Sequence, residues 1–220
     1  MSCDTHDFVR WDARTYSCVW SVKPHHGDDR VLYHRFDNGS IMLAVSDGAS
    51  GCGKGYLASE HIINTLYNIK ETPTPDELPW FIKSMDRDIK KKHPYSDATL
   101  VVVVIQGNRY FYTSVGDSIL WKYCNSLRSL YCLTQNQIRK PRIGSSCREP
   151  SVHASGELNP HDMLILSSDG ITHTLNHLDI TDNWIKQGAH ADTIQSKIEP
   201  FVQNNGLPDD CAVMVYKHHE

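Results

Sequence analysis

Aspartates stand at the ends of apolar runs in this 220-residue chain. Ile41-Met42-Leu43-Ala44-Val45-Ser46 runs into Asp47-Gly48, and Met163-Leu164-Ile165-Leu166-Ser167-Ser168 runs into Asp169-Gly170. A third run, 211–216, follows the acidic pair Asp209-Asp210. Strands buried on both faces read as continuous apolar runs, and such runs have no packing reason to end on bare carboxylates. A carboxylate there, beside a glycine that lets backbone approach closely, builds an oxygen-donor metal site. The chemistry suggested is that of a metal.

The elements that must position these acids can be read from periodicity. Residues 17–22 and 31–36 read as strands, and Asp37-Asn38-Gly39 is a hairpin signal before the run ending at Ser46. A glycine-rich loop, 47–55, precedes helical spacing at Leu57, Ala58, His61, Ile62, Thr65 and Leu66. Thr72-Pro73-Thr74-Pro75 punctuates the chain, and Asp76 is placed to cap a second helix holding Trp80, Phe81, Ile82, Met85 and Ile89. Residues 100–105 and 109–115 form a predicted hairpin, with strands at 118–123 and 130–133. Residues 135–158, polar and broken by Pro141, Gly144, Pro150 and Gly156, read as an irregular surface excursion. Helical stretches at 180–187 and 191–202 precede the final strand. Helices in two pairs with strands in blocks argue for α+β with mainly antiparallel sheets.

Bulk properties narrow the function classes. The length suits one domain, 1–220. Net charge is −4 with basic residues scattered, so no nucleic-acid footprint is expected. Lys90-Lys91-Lys92 is read as a favourable helix C-terminus. No apolar run reaches the ~20 residues of a membrane span, and residues 1–10 do not resemble a signal peptide. Seven cysteines without a C-x-x-C exclude a zinc knuckle or thioredoxin motif and suggest reduced thiols in a cytoplasmic protein. Cys52, in the glycine-rich loop, is either redox-sensitive or incidental. His218-His219 reads as a solvated tail.

Six motifs in register carry a resemblance over almost the whole chain. They are Gly27-Asp28-Asp29; Ala44 through Gly51 with Gly55-Tyr56-Leu57-Ala58-Ser59; Ser96-Asp97-Ala98-Thr99; Val115-Gly116-Asp117-Ser118; Ser167-Ser168-Asp169-Gly170; and Pro208-Asp209-Asp210-Cys211-Ala212-Val213. Together they resemble the metal-dependent serine/threonine protein phosphatases of the PPM class (type 2C), in a compact bacterial-like form. The resemblance implies a four-layer α-β-β-α sandwich of two mainly antiparallel sheets flanked by helix pairs, with a metal centre at one end. It implies Mn²⁺ or Mg²⁺, two ions and a possible third, holding a bridging hydroxide for in-line attack on phosphate. Physical chemistry agrees: carboxylates 4 Å apart repel by ~4 kcal/mol per pair at an effective dielectric near 20, and divalent cations remove that cost. An all-oxygen donor set suits these ions and not zinc.

Residue by residue, the resemblance makes Asp47 a bridge between two metals and the Gly48 carbonyl a ligand of the second. Asp169 and Asp209 would hold the first. Either Asp28 or Asp29 would be the second-metal carboxylate; Asp29 is favoured, with Asp28 on a metal-bound water. Asp210 stands outside the direct ligand set. Asp117 is either a ligand of a third, weaker site or a Gly-Asp turn. The family's phosphate-clamping Arg is missing before the first acidic motif. Lys23 is the nearest substitute, a point charge without the bidentate fork, helped by Arg30 or Arg35. Ala49 stands where many members carry a general-acid His, so protonation of the leaving group would fall to metal-bound water or to His26 or His173. The effect of Ala212 in place of the terminal Thr is open.

The expected activity is hydrolysis of phosphoserine or phosphothreonine on protein substrates, targets of a serine/threonine kinase, by a monomer that uses neither nucleic acid nor membrane. The alternative is a pseudophosphatase kept as a binding module. An unrelated two-metal nuclease lacks the basic surface it would need.

Overall fold

The computed structural model describes residues 6–21, 27–49, 51, 54–175, 179–205 and 209–219. Its first half runs β1 (His6–Arg10), β2 (Thr15–Trp20), β3 (Asp29–Arg35), β4 (Ile41–Asp47), α1 (Gly55–Tyr67), α2 (Glu77–Lys92), β5 (Leu100–Gln106) and β6 (Arg109–Val115). Then come β7 (Ile119–Cys124), β8 (Ser129–Cys132), β9 (Val152–Glu157), β10 (Met163–Ser167), α3 (Asp169–Thr174), a π-helical segment (Asp179–Ile185), α4 (Ala191–Asn205) and β11 (Cys211–Lys217). The strands form a six-stranded sheet, β1-β2-β11-β10-β7-β8, and a five-stranded sheet, β3-β4-β5-β6-β9. Every pairing within them is antiparallel.

Three apolar clusters separate the four layers. Leu43, Val45, Val101 and Val103 of one sheet meet Leu164, Leu166, Ala212 and Met214 of the other, forming the central core. The opposite face of the five-stranded sheet, with Met42, Ala44, Val102 and Val104, packs on Ile62, Leu66, Ile82 and Met85 of α1 and α2. The opposite face of the six-stranded sheet, with Trp20, Ile165 and Val213, packs on Ile171, Trp184, Ile194 and Ile198. Alternate residues of one strand serve two interfaces, which is why β4, β5, β10 and β11 are apolar almost throughout. This is the expected four-layer α+β sandwich.

Register places the acids. Asp29 opens β3 opposite Asp47, which closes β4. Ser167 closes β10 opposite Ile119 of β7 and Val213 of β11. Antiparallel order therefore gathers the exits of β4 and β10 and the entries of β3, β7 and β11 at one end of the sandwich. Each carries an aspartate within two residues of its end.

Some expectations need correction. The first strand expected at 17–22 is β2, shifted to Thr15–Trp20, and β1 pairs with it unannounced. The 135–158 excursion is not wholly irregular: β9 pairs with β6, Ala98 bridges Ile143, and Ile143 and Cys147 lie in the α1–α2 core. Gln135 to Leu158 thus includes an edge strand built on a neighbour rather than on its own apolar pattern. Asp76 precedes α2 without a capping side-chain bond; instead the Glu77 carboxylate accepts from the Thr74 N–H (2.7 Å) and hydroxyl (2.9 Å). His218 is buried, not a solvated tail: its N–H donates to the Asp162 carbonyl at 2.9 Å, and its carbonyl accepts from the His161 N–H at 2.9 Å.

Candidate metal centre

Carboxylate oxygens of Asp47, Asp117 and Asp169 lie within 4.8 Å of one another. Local structure holds each in place. The Asp47 N–H donates to the Thr99 hydroxyl at 3.0 Å, and the Asp47 carbonyl accepts from the Thr99 N–H at 2.8 Å. The Thr99 hydroxyl also meets that of Ser118, so β4, β5 and the entry of β7 are tied together where their acids emerge. Gly116 (φ +89°) turns the chain before Asp117, and a Cβ there would come within 2.7 Å of Thr99 Cγ2. Gly48 lies directly against the Gly55 backbone, leaving no space for a side chain where α1 starts beneath the Asp47 turn. Asp169 is the first residue of α3.

Asp29 lies deeper, beside Asp47 across the β3–β4 ladder, and is almost fully buried. Among the described residues neither of its carboxylate oxygens has a hydrogen-bond partner, and one oxygen of Asp117 is likewise buried and unpaired. Unpaired buried carboxylate oxygens are costly. Asp28, by contrast, is a structural tie. Its carboxylate accepts from the Tyr56 N–H at 3.0 Å, its carbonyl accepts from Gly48 N–H (3.1 Å) and the Ser59 hydroxyl (2.6 Å), and its own N–H donates to Asp210. Asp209 faces the same cleft and accepts the Asp210 N–H at 2.9 Å.

Electrostatics follow from this crowding. Burial, then Asp47, pushes the Asp29 carboxyl well above the ordinary carboxylate range. Burial, then Asp169, raises Asp47 to about 7, and burial, then Asp117, raises Asp169. These acids resist ionising together, as like charges in low dielectric must. A hard divalent cation fits this donor set: the ligands are all oxygen, and among the described residues the oxygens of Asp29 have no hydrogen-bond partner.

Positive charge comes from an unexpected quarter. Above the acids is a cleft of about 340 Å³ whose lining includes Asp47, Asp169, Asp209, Lys140 and Arg142. Arg139 Nε donates to Asp117 Oδ2 at 2.6 Å, and its Nη2 lies 3.6 Å from Asp169 Oδ2. Arg142 pairs with Asp97 at 3.5 Å. All three cations lie on the 135–158 stretch. No periodic or motif signal marks them; the cluster Arg139-Lys140-Pro141-Arg142 in a polar loop is the one available hint.

The other expected site residues divide clearly. Lys23, His26 and Cys52 fall outside the described residues. Arg30 is bonded to the backbone carbonyls of Gly27 and Asp29. Arg35 sits at the far end of β3, roughly 20 Å along the strand from Asp29. His173 is exposed one turn beyond Asp169 on α3. Ala212 is fully buried in the intersheet core, and its N–H donates to the Ser168 hydroxyl at 2.8 Å.

A family model described as protein phosphatase 2C matches residues 22–201. No curated protein sequence matches the chain. Among solved structures, the catalytic domain of the serine threonine protein phosphatase PstP with two manganese ions superposes with TM-score 0.75 at 18% identity, covering 94% of this chain and 98% of that one. The S. agalactiae serine/threonine phosphatase gives 0.73 at 19% identity, covering 97% and 98%. PppA of Pseudomonas aeruginosa, a key regulatory component of T6SS, gives 0.70 at 18% identity, covering 93% and 97%. At these identities the structural likeness establishes the fold.

Proposed function

The chain belongs to the protein phosphatase 2C family, and from that premise we propose that it is a metal-dependent phosphatase acting on phosphoserine and phosphothreonine in proteins. The observation that carries this reading is the convergence of Asp47, Asp117 and Asp169 within 4.8 Å, beside a buried Asp29 whose oxygens meet no hydrogen-bond partner among the described residues. In the proposed assignment Asp29, Asp47, Asp169 and Asp209, with the Gly48 carbonyl, hold two Mn²⁺ or Mg²⁺ ions, and Asp117 belongs to the outer position. Asp28 supports Asp29 by fixing the entry of β3. When bound, such ions neutralise the carboxylates, acidify water and stabilise phosphoryl charge.

The chain's own residues supply the rest. The Thr99–Ser118 link keeps the acids aimed at one point, so their geometry is set before substrate arrives. Lys140 and Arg142, on the cleft wall, attract and orient the phosphate. Ala49 offers no acid after Asp47-Gly48, so the leaving serine or threonine oxygen takes its proton from solvent in the open cleft. The inactive-scaffold alternative is not favoured.

We read 1–220 as one catalytic unit, working as a monomer in the cytoplasm on the targets of a serine/threonine kinase, in a signalling role. Among the described residues no helix is long and apolar enough to cross a membrane. Purified protein assayed on a phosphothreonine peptide should release phosphate only with Mn²⁺ or Mg²⁺, and Asp47→Asn should lose at least ~10³-fold. Binding of the peptide without turnover in the wild type refutes the reading.

A further inference from the structure

Arg139 reaches the metal centre from outside. Its guanidinium spans Asp117 (2.6 Å) and Asp169 (3.6 Å), two of the three clustered carboxylates. The Arg139 side chain is 69% exposed while those of the two aspartates are 10% and 16% exposed, so a tethered cation closes a mostly buried acidic pair from the solvent side. The tether is short and pinned at both ends. Before Arg139, the Ser114 hydroxyl donates to Gln137 Oε1 at 2.8 Å, and the Ser151 hydroxyl donates to the Ile138 carbonyl at 3.2 Å. After it, Ile143 exchanges two 3.0 Å backbone bonds with Ala98. The N–H groups of Gly144, Ser146 and Cys147 then converge on Asp86 Oδ1 at 2.8–3.0 Å. Arg139 is thus delivered to the acids by an ordered loop.

We propose that Arg139 is a built-in competitor for the outer cation position: it neutralises the Asp117–Asp169 pair itself, so a divalent ion enters there only by displacing the guanidinium. The inference rests on the metal-centre reading above and assigns Arg139 a positioning and metal-selecting role. Arg139 meets Asp117 and Asp169, so ions held by Asp29 and Asp47 do not face this competition. One positive charge set against a divalent ion weakens the outer position without closing it. Once displaced, Arg139 is free to swing into the cleft beside Lys140 and Arg142, so loading of the outer ion changes the charge that a substrate meets.

Calorimetric titration of the full chain with Mn²⁺ tests this directly. Arg139→Ala should tighten the weakest Mn²⁺ step by about tenfold and leave the tight steps unchanged. Arg139→Lys, which keeps a charge without the fork, should fall between. Asp117→Asn should abolish the gain in the double variant. Superimposable wild-type and Arg139→Ala isotherms overturn the proposal, as does a gain that survives Asp117→Asn. Loss of the tight steps in Arg139→Ala makes the residue structural and also overturns it. The readout is binding, so wild-type protein that shows these steps without phosphopeptide turnover refutes the phosphatase reading alone. Turnover with superimposable isotherms refutes the role of Arg139 alone.

Discussion

Asp47 is asked for two things that conflict. It must be ionised to hold cations, yet burial and Asp169 push its carboxyl up to about 7 in the protein without metal. Removing the charge while keeping the shape should separate the two demands. Asp47→Asn is expected to abolish metal-dependent turnover and, in chelator at pH 8, to stabilise the fold by about 1–3 kcal/mol. For a chain of this size that raises the melting temperature by roughly 3–8 °C. Differential scanning calorimetry on both proteins checks it; a metal-free Asp47→Asn that melts below wild type would show that the acids are not in conflict. At this scale the sequence was informative where chemistry shares a position with periodicity. Asp47 and Asp169 are visible because each terminates an apolar run, and Asp209 because it precedes one. Asp117 stayed ambiguous because a Gly-Asp turn and a ligand have the same local pattern, and only the fold brings it within 4.8 Å of the other two. Arg139 was illegible: its partners lie 22 and 30 residues away in sequence (139 − 117 and 169 − 139), so no local window contains the pair.

Among elements, the loop between β8 and β9 has the most to lose from one substitution. Asp86 of α2 is buried, accepts three backbone N–H groups from that loop and pairs with Lys90 at 2.8 Å. Bonds to a charged acceptor contribute more than neutral ones, and their loss strands the donors. Asp86→Ala should cost about 3 kcal/mol in urea unfolding and raise hydrogen exchange at residues 144–147, while Asp86→Asn recovers part of both. Unchanged exchange there would mean that Ile143 and Cys147 alone pin the loop. The same loop explains where element prediction failed. Strands β4, β5, β10 and β11 advertise themselves because both faces are buried. Edge strand β9 is mostly exposed, has a Gly at position 156 and gains its structure from β6, a long-range cause that composition does not record. The π-helical segment at Asp179–Ile185 has ordinary helical periodicity in its apolar residues, so its altered winding was equally hidden.

Over the whole molecule, the acidic end makes metal, pH and stability one linked problem. The groups facing Asp47 are Asp29, Asp117, Asp169 and Asp209. In the unfolded chain Asp47 has its ordinary pKa of 3.8, and in the fold it titrates near about 7. A folded pKa raised in this way favours the native state below the unfolded value, and the advantage is lost as pH rises through the folded one. His34, His61 and His218 are lowered by burial, so they oppose folding while unfolded imidazoles still hold protons, up to about pH 7.5, and pull the slope the other way there. Cys18 and Cys147, raised by burial to about 12 and about 11, count only where unfolded thiols ionise, near 9. In chelator the stability of wild type relative to Asp47→Asn, a comparison in which the histidines cancel, should therefore fall by about 0.8 kcal/mol from pH 6.5 to 8. Saturating Mn²⁺ should reverse the trend, because ions bind the ionised carboxylates and add about 2.7 kcal/mol at a hundredfold excess over the dissociation constant. The stabilisation by Mn²⁺ should be larger at pH 8 than at 6.5, since fewer protons then have to leave. Thermal melts of wild type and Asp47→Asn with chelator, and of wild type with Mn²⁺, across this window read both slopes. A metal-free wild type that gains on Asp47→Asn as pH rises would mean that the five aspartates do not share one pocket.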